Sequence, residues 1–146
     1  MRTFGSCLAL VIMGLASAKA DTVNVFVFDF DYSINRPGEG PIQDPIINAG
    51  DTIRWIWLGD FHSVTSCVGN PEVYDTGLFD TGDVFEQTFE TPGVWWYYCL
   101  PHGVDLGDGT AEGMAGTVTV LPAPGACALL TLAPFVARPR RRVVAR

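Results

Sequence analysis

The chain has 146 residues, a length that suggests one domain. Residues 21–121 hold all 16 acidic residues and only two of the 9 Lys and Arg residues, which gives this segment a net charge of −14. Contacts to phosphate need Lys and Arg, so this charge excludes unaided binding of nucleic acid. It fits a basic protein partner, or simply a soluble protein.

The first 20 residues predict a secretory signal peptide. Arg2 places a positive charge near the start, residues 8–15 are apolar, and Ala18-Lys19-Ala20 is a cleavage site of the A-x-A type. The mature chain is then expected to begin at Asp21. The protein is expected in the periplasm, in the cell envelope or outside the cell.

The segment that follows predicts short strands separated by turns rich in Gly and Pro. Ile53, Trp55 and Trp57 alternate with polar residues, as in a half-buried strand. The full set of predicted strands covers residues 23–32, 42–47, 52–58, 63–67, 85–89, 95–99 and 117–120. No stretch has a sustained helical period, so an all-β, antiparallel sandwich is predicted for residues 21–121.

Cys99 and His102 follow an aromatic strand, and Pro101 between them is expected to end that strand, since proline lacks the N–H needed for pairing. A turn there would bring His102 back beside the Cys99 sulfur. The other histidine of the chain, His62, also follows an aromatic strand. One Cys, two His and the distant Met114 form the ligand set that suits a trigonal copper site with a weak axial thioether.

These residues resemble the cupredoxins, the small blue copper proteins, and above all their plastocyanin-like branch. The matching motifs occur in the family's order over residues 23–121: Asn48-Ala49-Gly50-Asp51-Thr52-Ile53, His62-Ser63-Val64, Thr91-Pro92-Gly93, Tyr97-Tyr98-Cys99-Leu100-Pro101-His102 and Gly113-Met114-Ala115-Gly116. The resemblance implies a Greek-key β-sandwich with one type 1 copper ion bound by His62, Cys99, His102 and Met114. It also implies a monomer that carries single electrons between redox proteins and is not an enzyme. Residues 103–113 separate His102 from Met114 and make this gap longer than it is in the family.

Several alternatives stay open at this point. Cys99 could instead form a disulfide with Cys67, and one Cys with two His also suits zinc. Met114 could be a core residue, with Glu112 or a main-chain carbonyl as the axial ligand. The rival functions are a small copper enzyme with a modified axial site and a surface-displayed binding or structural domain without redox duty.

Residues 122–146 predict a C-terminal sorting or anchor tail. Pro122-Ala123-Pro124 precedes an apolar segment over residues 125–137, and arginines follow it up to Arg146. This order resembles the bacterial PEP-CTERM sorting tail, and the terminal arginines fit the positive-inside rule. An ordinary anchor or a frayed tail are the alternatives. Membrane association is therefore expected to be transient or to depend on the tail.

Overall fold

The computed structural model describes residues 19–124, and every regular element in that part of the chain is a β-strand. The strands are β1 Thr22–Phe28, β2 Asp31–Ser33, β3 Ile46–Asn48, β4 Thr52–Trp57, β5 Thr65–Ser66, β6 Val84–Thr88, β7 Gly93–Asp105 and β8 Ala111–Leu121. The prediction of an all-β chain is confirmed. Within the described residues there is no helix long and apolar enough to cross a membrane. The predicted leader and tail lie almost entirely outside those residues.

The strands form two four-stranded sheets, with the orders β2-β1-β4-β6 and β3-β8-β7-β5. The predicted sandwich is therefore present, but its sheets are mixed and not wholly antiparallel. β1 pairs with β4 in parallel, and β3 pairs with β8 in parallel. After β2 the chain crosses to the other sheet as β3, so β4 comes back beside β1 in the same direction. Side chains alternate in the same way along parallel and antiparallel strands, so the sequence pattern could not show this.

The inner faces of the sheets meet in an aromatic core. Ile53, Trp55 and Trp57 on β4 are fully buried, as their alternation predicted. The Trp55 ring stacks on Phe85 at 5.7 Å between centroids and meets Tyr97 edge-on at 5.4 Å. Aromatic side chains remove large apolar areas from water, so this cluster joins the two sheets rigidly.

The predicted first strand, over residues 23–32, is in fact a hairpin. β1 ends at Phe28, and β2 pairs back against it from Asp31. The two residues between them, Asp29 and Phe30, have φ of 38° and 66°. Positive φ at both central residues is typical of the tight turn that matches strand twist. Gly or Asn usually marks such a turn, and the sequence has neither here, so the turn was missed.

The sandwich has two distinct ends. One end, here called the tail end, contains Asp21, the β3–β4 turn and Leu121. There the Thr52 N–H donates to the Asp21 carbonyl, and the Ala49 N–H donates to the Leu121 carbonyl. The other, here called the ligand end, holds Phe30, His62 and residues 99–102. β7 pairs with β8 from the tail end, at Gly93 and Val120, towards the ligand end. Both predicted processing sites are thus far from the candidate ligands.

Candidate metal centre

A large bulge in β7 brings Cys99 and His102 together. β7 and β8 pair in register as far as Tyr98 and Ala115, and pairing resumes at Gly103 and Gly113. Between these pairs, residues 99–102 of β7 lie opposite Met114 alone. The prediction that the strand ends at Pro101 was therefore wrong: the strand bulges there and continues. The bulge accommodates the missing N–H of Pro101 and lets residues three apart turn to one side.

His62 reaches the same place from the connection between β4 and β5. Its backbone N–H donates to the Phe79 carbonyl at 3.3 Å and its carbonyl accepts from the Phe79 N–H at 2.9 Å. The same carbonyl also accepts from the buried indole Nε1 of Trp57 at 2.8 Å. Three hydrogen bonds to backbone atoms fix the residue before any ligand binds.

The three predicted strong ligands converge. The Cys99 Sγ lies 3.7 Å from His62 Nδ1 and 3.5 Å from His102 Nδ1, and the two Nδ1 atoms are 3.2 Å apart. Bond lengths of about 2.0 Å to nitrogen and about 2.3 Å to sulfur require ligand atoms roughly 3.3 to 3.7 Å apart. The spacing of the donor atoms therefore fits one first-row transition-metal ion. Within the described residues, this trio is the one group of His, Cys, Asp and Glu side chains close enough to hold a metal.

Burial prepares His62 to act as a ligand. The Cys99 side chain is fully buried and His62 is 5% exposed, whereas His102 is only half-buried. Burial, and next the nearby charge of His102, lower the pKa of His62. The imidazole is thereby kept neutral, which leaves its nitrogen lone pair free for a metal.

Two residues that the sequence analysis did not single out organise the surroundings of the thiol. The buried Ser63 donates its backbone N–H to Cys99 Sγ at 3.3 Å, and its hydroxyl accepts from the Leu100 N–H at 2.7 Å. Its carbonyl accepts from the Tyr32 hydroxyl at 2.5 Å. Ser63 directly follows a candidate ligand, and this position was the available sign of its role. Tyr32 gave no such sign.

The long gap between His102 and Met114 forms a β-hairpin. Val104 and Asp105 pair with Glu112 and Ala111, and a short turn closes the end. The hairpin thus leaves the ligand end and returns to it, so the extra residues do not carry Met114 away from the bulge. Met114 is 3% exposed and lies opposite the bulge, while Glu112 is exposed.

Cys67 and Cys99 are both free thiols, so the structure does not contain the alternative disulfide. Cys67 directly follows β5 and is buried, and its N–H donates to the Trp96 carbonyl at 3.1 Å. Burial raises the pKa of the Cys67 thiol to about 11. A thiol that stays protonated at neutral pH is a poor metal ligand.

Phe30 covers the exposed side of the ligand group. Its ring meets the His102 ring edge-on, with centroids 4.5 Å apart, and the His62 ring at 5.8 Å. The Phe30 side chain is itself 63% exposed. The turn between β1 and β2 therefore places an apolar ring between His102 and the solvent.

The chain is similar to known cupredoxins in sequence and fold. It is 36% identical to halocyanin from Natronomonas pharaonis over 77 residues, which span 51% of this chain but only 43% of halocyanin. It is 28% identical to plastocyanin from Prochlorothrix hollandica over 75% of this chain and 81% of plastocyanin. A copper-containing nitrite reductase from Thermus scotoductus SA-01 shares the fold, with a TM-score of 0.52 and 20% identity over 75% of this chain and 24% of that one. No protein-family model matches the chain.

Proposed function

We propose that this cupredoxin-like β-sandwich is an exported type 1 copper protein that carries single electrons between redox proteins. The observation that carries the proposal is the convergence of the Cys99 Sγ and the Nδ1 atoms of His62 and His102, within 4.8 Å of one another. One thiolate and two imidazoles are the three strong ligands of blue copper sites. We propose a carrier and not an enzyme, and this duty needs no acid–base pair or nucleophile.

Each ligand has a distinct part. His62, Cys99 and His102 would hold the metal, and Met114 would supply the weak axial thioether opposite the bulge. Bound copper supplies one-electron chemistry by alternating between Cu(I) and Cu(II). The bonds that fix His62 to Phe79 and Trp57, and Cys99 to Ser63, hold the ligands in place in both states. Little rearrangement is then needed on electron transfer.

His102 is the proposed route for the electron. It is the one strong ligand that is not buried, and Phe30 packs against its ring. The carboxylates of Asp29 and Asp60 lie close enough to His62 to act on its pKa, each in the upward direction. Acidic side chains therefore flank this end of the sandwich. A redox protein with a basic surface, bound transiently, is the proposed partner.

Export is part of the proposal. The leader over residues 1–20 and the tail over residues 122–146 are interpreted from the sequence, as signals for secretion and for sorting or anchoring. Both leave the sandwich at the tail end. A protein held in the cell envelope by that tail would present His102 away from its anchor.

The test is a visible absorption spectrum on titration with Cu(II). We expect an intense thiolate-to-copper charge-transfer band that is absent in Cys99→Ser, because serine cannot supply the thiolate. Cys67→Ser is the matched control, since it removes the other buried free thiol and should keep the band. A colourless protein, or a band lost equally in both variants, would overturn the proposal. Zinc at the same site would give neither a visible band nor a response in a redox titration, because Zn²⁺ is not redox-active.

A further inference from the structure

A carboxylate in the β3–β4 turn is held against the point where the chain enters the sandwich. Asp51 is 6% exposed, and its Oδ1 accepts the backbone N–H of Asp21 with an N···O distance of 2.8 Å. Its Oδ2 accepts the backbone N–H of Asn48, also at 2.8 Å. The Asp21 N–H is the main cause of a lowered pKa for Asp51, so this side chain is ionised at neutral pH.

This carboxylate has no cationic partner among residues 19–124. The ion pair found in that part of the chain joins Arg54 to Glu86, both of them well exposed. Buried charges in proteins are usually paired or fully hydrogen-bonded. Asp51 has its N–H donors but forms no ion pair there: Lys19 lines the cleft beside it without pairing with it, and leader removal takes Lys19 away.

We propose that Asp51 is the binding site for the α-ammonium group that leader removal creates at Asp21. The inference rests on the proposed export. Hydrolysis of the Ala20–Asp21 peptide bond by a leader peptidase consumes one water molecule and leaves a carboxylate on Ala20 and an amine on Asp21. That amine takes up a proton at neutral pH, since the pKa of an α-amino group is about 8. The nitrogen that donates an amide N–H to Asp51 in the precursor thus becomes a cation.

The sheet keeps that nitrogen in position after cleavage. The Asp21 carbonyl accepts the Thr52 N–H at 2.9 Å, and β1 begins at the next residue. Lys19, Ala20 and Asp21 are all exposed, so the bond to be cut stays accessible. A cleft of about 200 Å³ lies between residues 19–21 and the β3–β4 turn. Water in that cleft can solvate the two remaining N–H groups of the ammonium.

The consequence is a mature chain that is more stable than its precursor. In the precursor only the acceptor of this hydrogen bond is charged, whereas in the mature chain donor and acceptor carry opposite charges, so their attraction adds to the bond. Solvent in the cleft screens part of this gain. Removal of the leader therefore tightens the tail end of the sandwich, where β1, β4 and the last residue of β8 meet.

The composition of the chain permits a selective test. Lys19 is the one lysine of the sequence, so a chain that begins at Asp21 has its α-amine as the sole primary amine. Acetylation of that amine removes the charge and restores an amide N–H, as in the precursor. We expect acetylation of the chain 21–146 to raise the unfolding equilibrium constant in urea by about three- to tenfold.

Two variants separate the proposed contact from a general effect. In Asp51→Asn, acetylation should change the unfolding constant by less than about twofold, because the anionic partner is gone. Asp108→Asn, an exposed acidic residue in the hairpin turn, should respond like the unchanged protein. An equal effect of acetylation in all three proteins would overturn the proposal, as would an exported protein whose first residue is not Asp21.

A kinetic measurement covers the case in which Asp51→Asn does not fold. The α-amine of the folded, unchanged protein should react with an amine-directed acetylating reagent at least about fivefold more slowly than in urea, because Asp51 stabilises its protonated form. Equal rates would contradict the proposal. The copper band is expected in both the acetylated and the free protein, so a missing band would count against the proposed function and not against this site.

Discussion

At the scale of single residues, Ser63 connects the candidate ligands to the sandwich. It makes contact through its N–H to Cys99 Sγ, its hydroxyl to the Leu100 N–H and its carbonyl to the Tyr32 hydroxyl. Its hydroxyl also lies 3.2 Å from that of Thr65, which donates to Asp75 at 3.0 Å. The β7 bulge that carries Cys99 is therefore joined to β5 by a chain of side-chain hydrogen bonds.

Ser63→Ala tests this connection. The backbone N–H to the sulfur remains, so the copper band should keep its position. Loss of the acceptor for the Leu100 N–H should lower the free energy of unfolding by about 1–2 kcal/mol, measured by urea denaturation. Thr88→Ala, which removes an exposed hydroxyl pair with Thr52, serves as the control and should cost less than about 0.5 kcal/mol. Equal losses in the two variants would contradict a special role for Ser63.

Met114 is the other residue whose role can be decided by substitution. If its thioether is the axial ligand, Met114→Gln should keep the coloured site, because the axial bond is weak and long. The reduction potential should fall, since an amide oxygen favours Cu(II) more than a thioether does. Met114→Leu conserves volume and removes only the sulfur, so it should shift the potential without unfolding the protein. An unchanged potential in both variants, measured by redox titration, would make Met114 a core residue and nothing more.

At the scale of elements, the β7 bulge and the hairpin after it decide whether the ligands meet. The hairpin could have displaced Met114, but its strands pair back in register at Gly103 and Gly113. Gly113 has no room for a side chain. Its φ is +79°, and an added Cβ would lie 2.5 Å from the His102 carbonyl oxygen. A side chain there would push directly on a candidate ligand.

Gly113→Ala should therefore disturb the site. We expect it to weaken the copper band and to lower the free energy of unfolding by more than about 2 kcal/mol, as clash and backbone strain combine. The matched control is Gly107→Ala in the hairpin turn, which has the same φ of +79° but no atom within 4 Å of an added Cβ. It should cost about 1 kcal/mol and leave the spectrum intact. A normal spectrum in Gly113→Ala would show that the bulge tolerates movement.

At the scale of the whole molecule, the sandwich places the two points where the leader and the tail join it at one end and the candidate metal site at the other. The tail end holds both the proposed mature N-terminus and Leu121, and β8 runs from there to Met114. Met114 and Leu121 are seven residue steps apart, and seven steps of extended strand span about 23 Å, so the ligand end lies roughly that far from the tail. The net charge of −14 over residues 21–121 surrounds both ends with a negative field.

This field predicts a dependence on ionic strength. Oxidation of the reduced copper protein by a small cationic oxidant should slow several-fold between about 0.01 and 0.15 M salt, because the Debye length falls from about 30 to about 8 Å. An anionic oxidant of similar potential is the control and should react faster as salt is added. Stopped-flow absorbance at the copper band measures both rates. The same salt response for the two reagents would rule out electrostatic steering.

The sequence alone determined the fold class, the core positions of β4 and the three side chains, His62, Cys99 and His102, that the structure brings together. Alternation and turn composition are local properties that burial imposes on a strand, so they can be read along the chain. Spacing around Pro101 similarly indicated that Cys99 and His102 could meet. Features that depend on neighbouring residues in the chain were therefore predictable from the sequence.

Only the tertiary structure decided the rest. The parallel pairing of β1 with β4 depends on where the chain crosses between sheets, which no strand pattern records. The turn at Asp29 and Phe30, without Gly or Asn, forms because strand pairing on both sides outweighs the preference against positive φ. Ser63, Tyr32 and the Asp51 contact with Asp21 join residues 30 or more positions apart. Such long-range contacts exist only once the two sheets have packed.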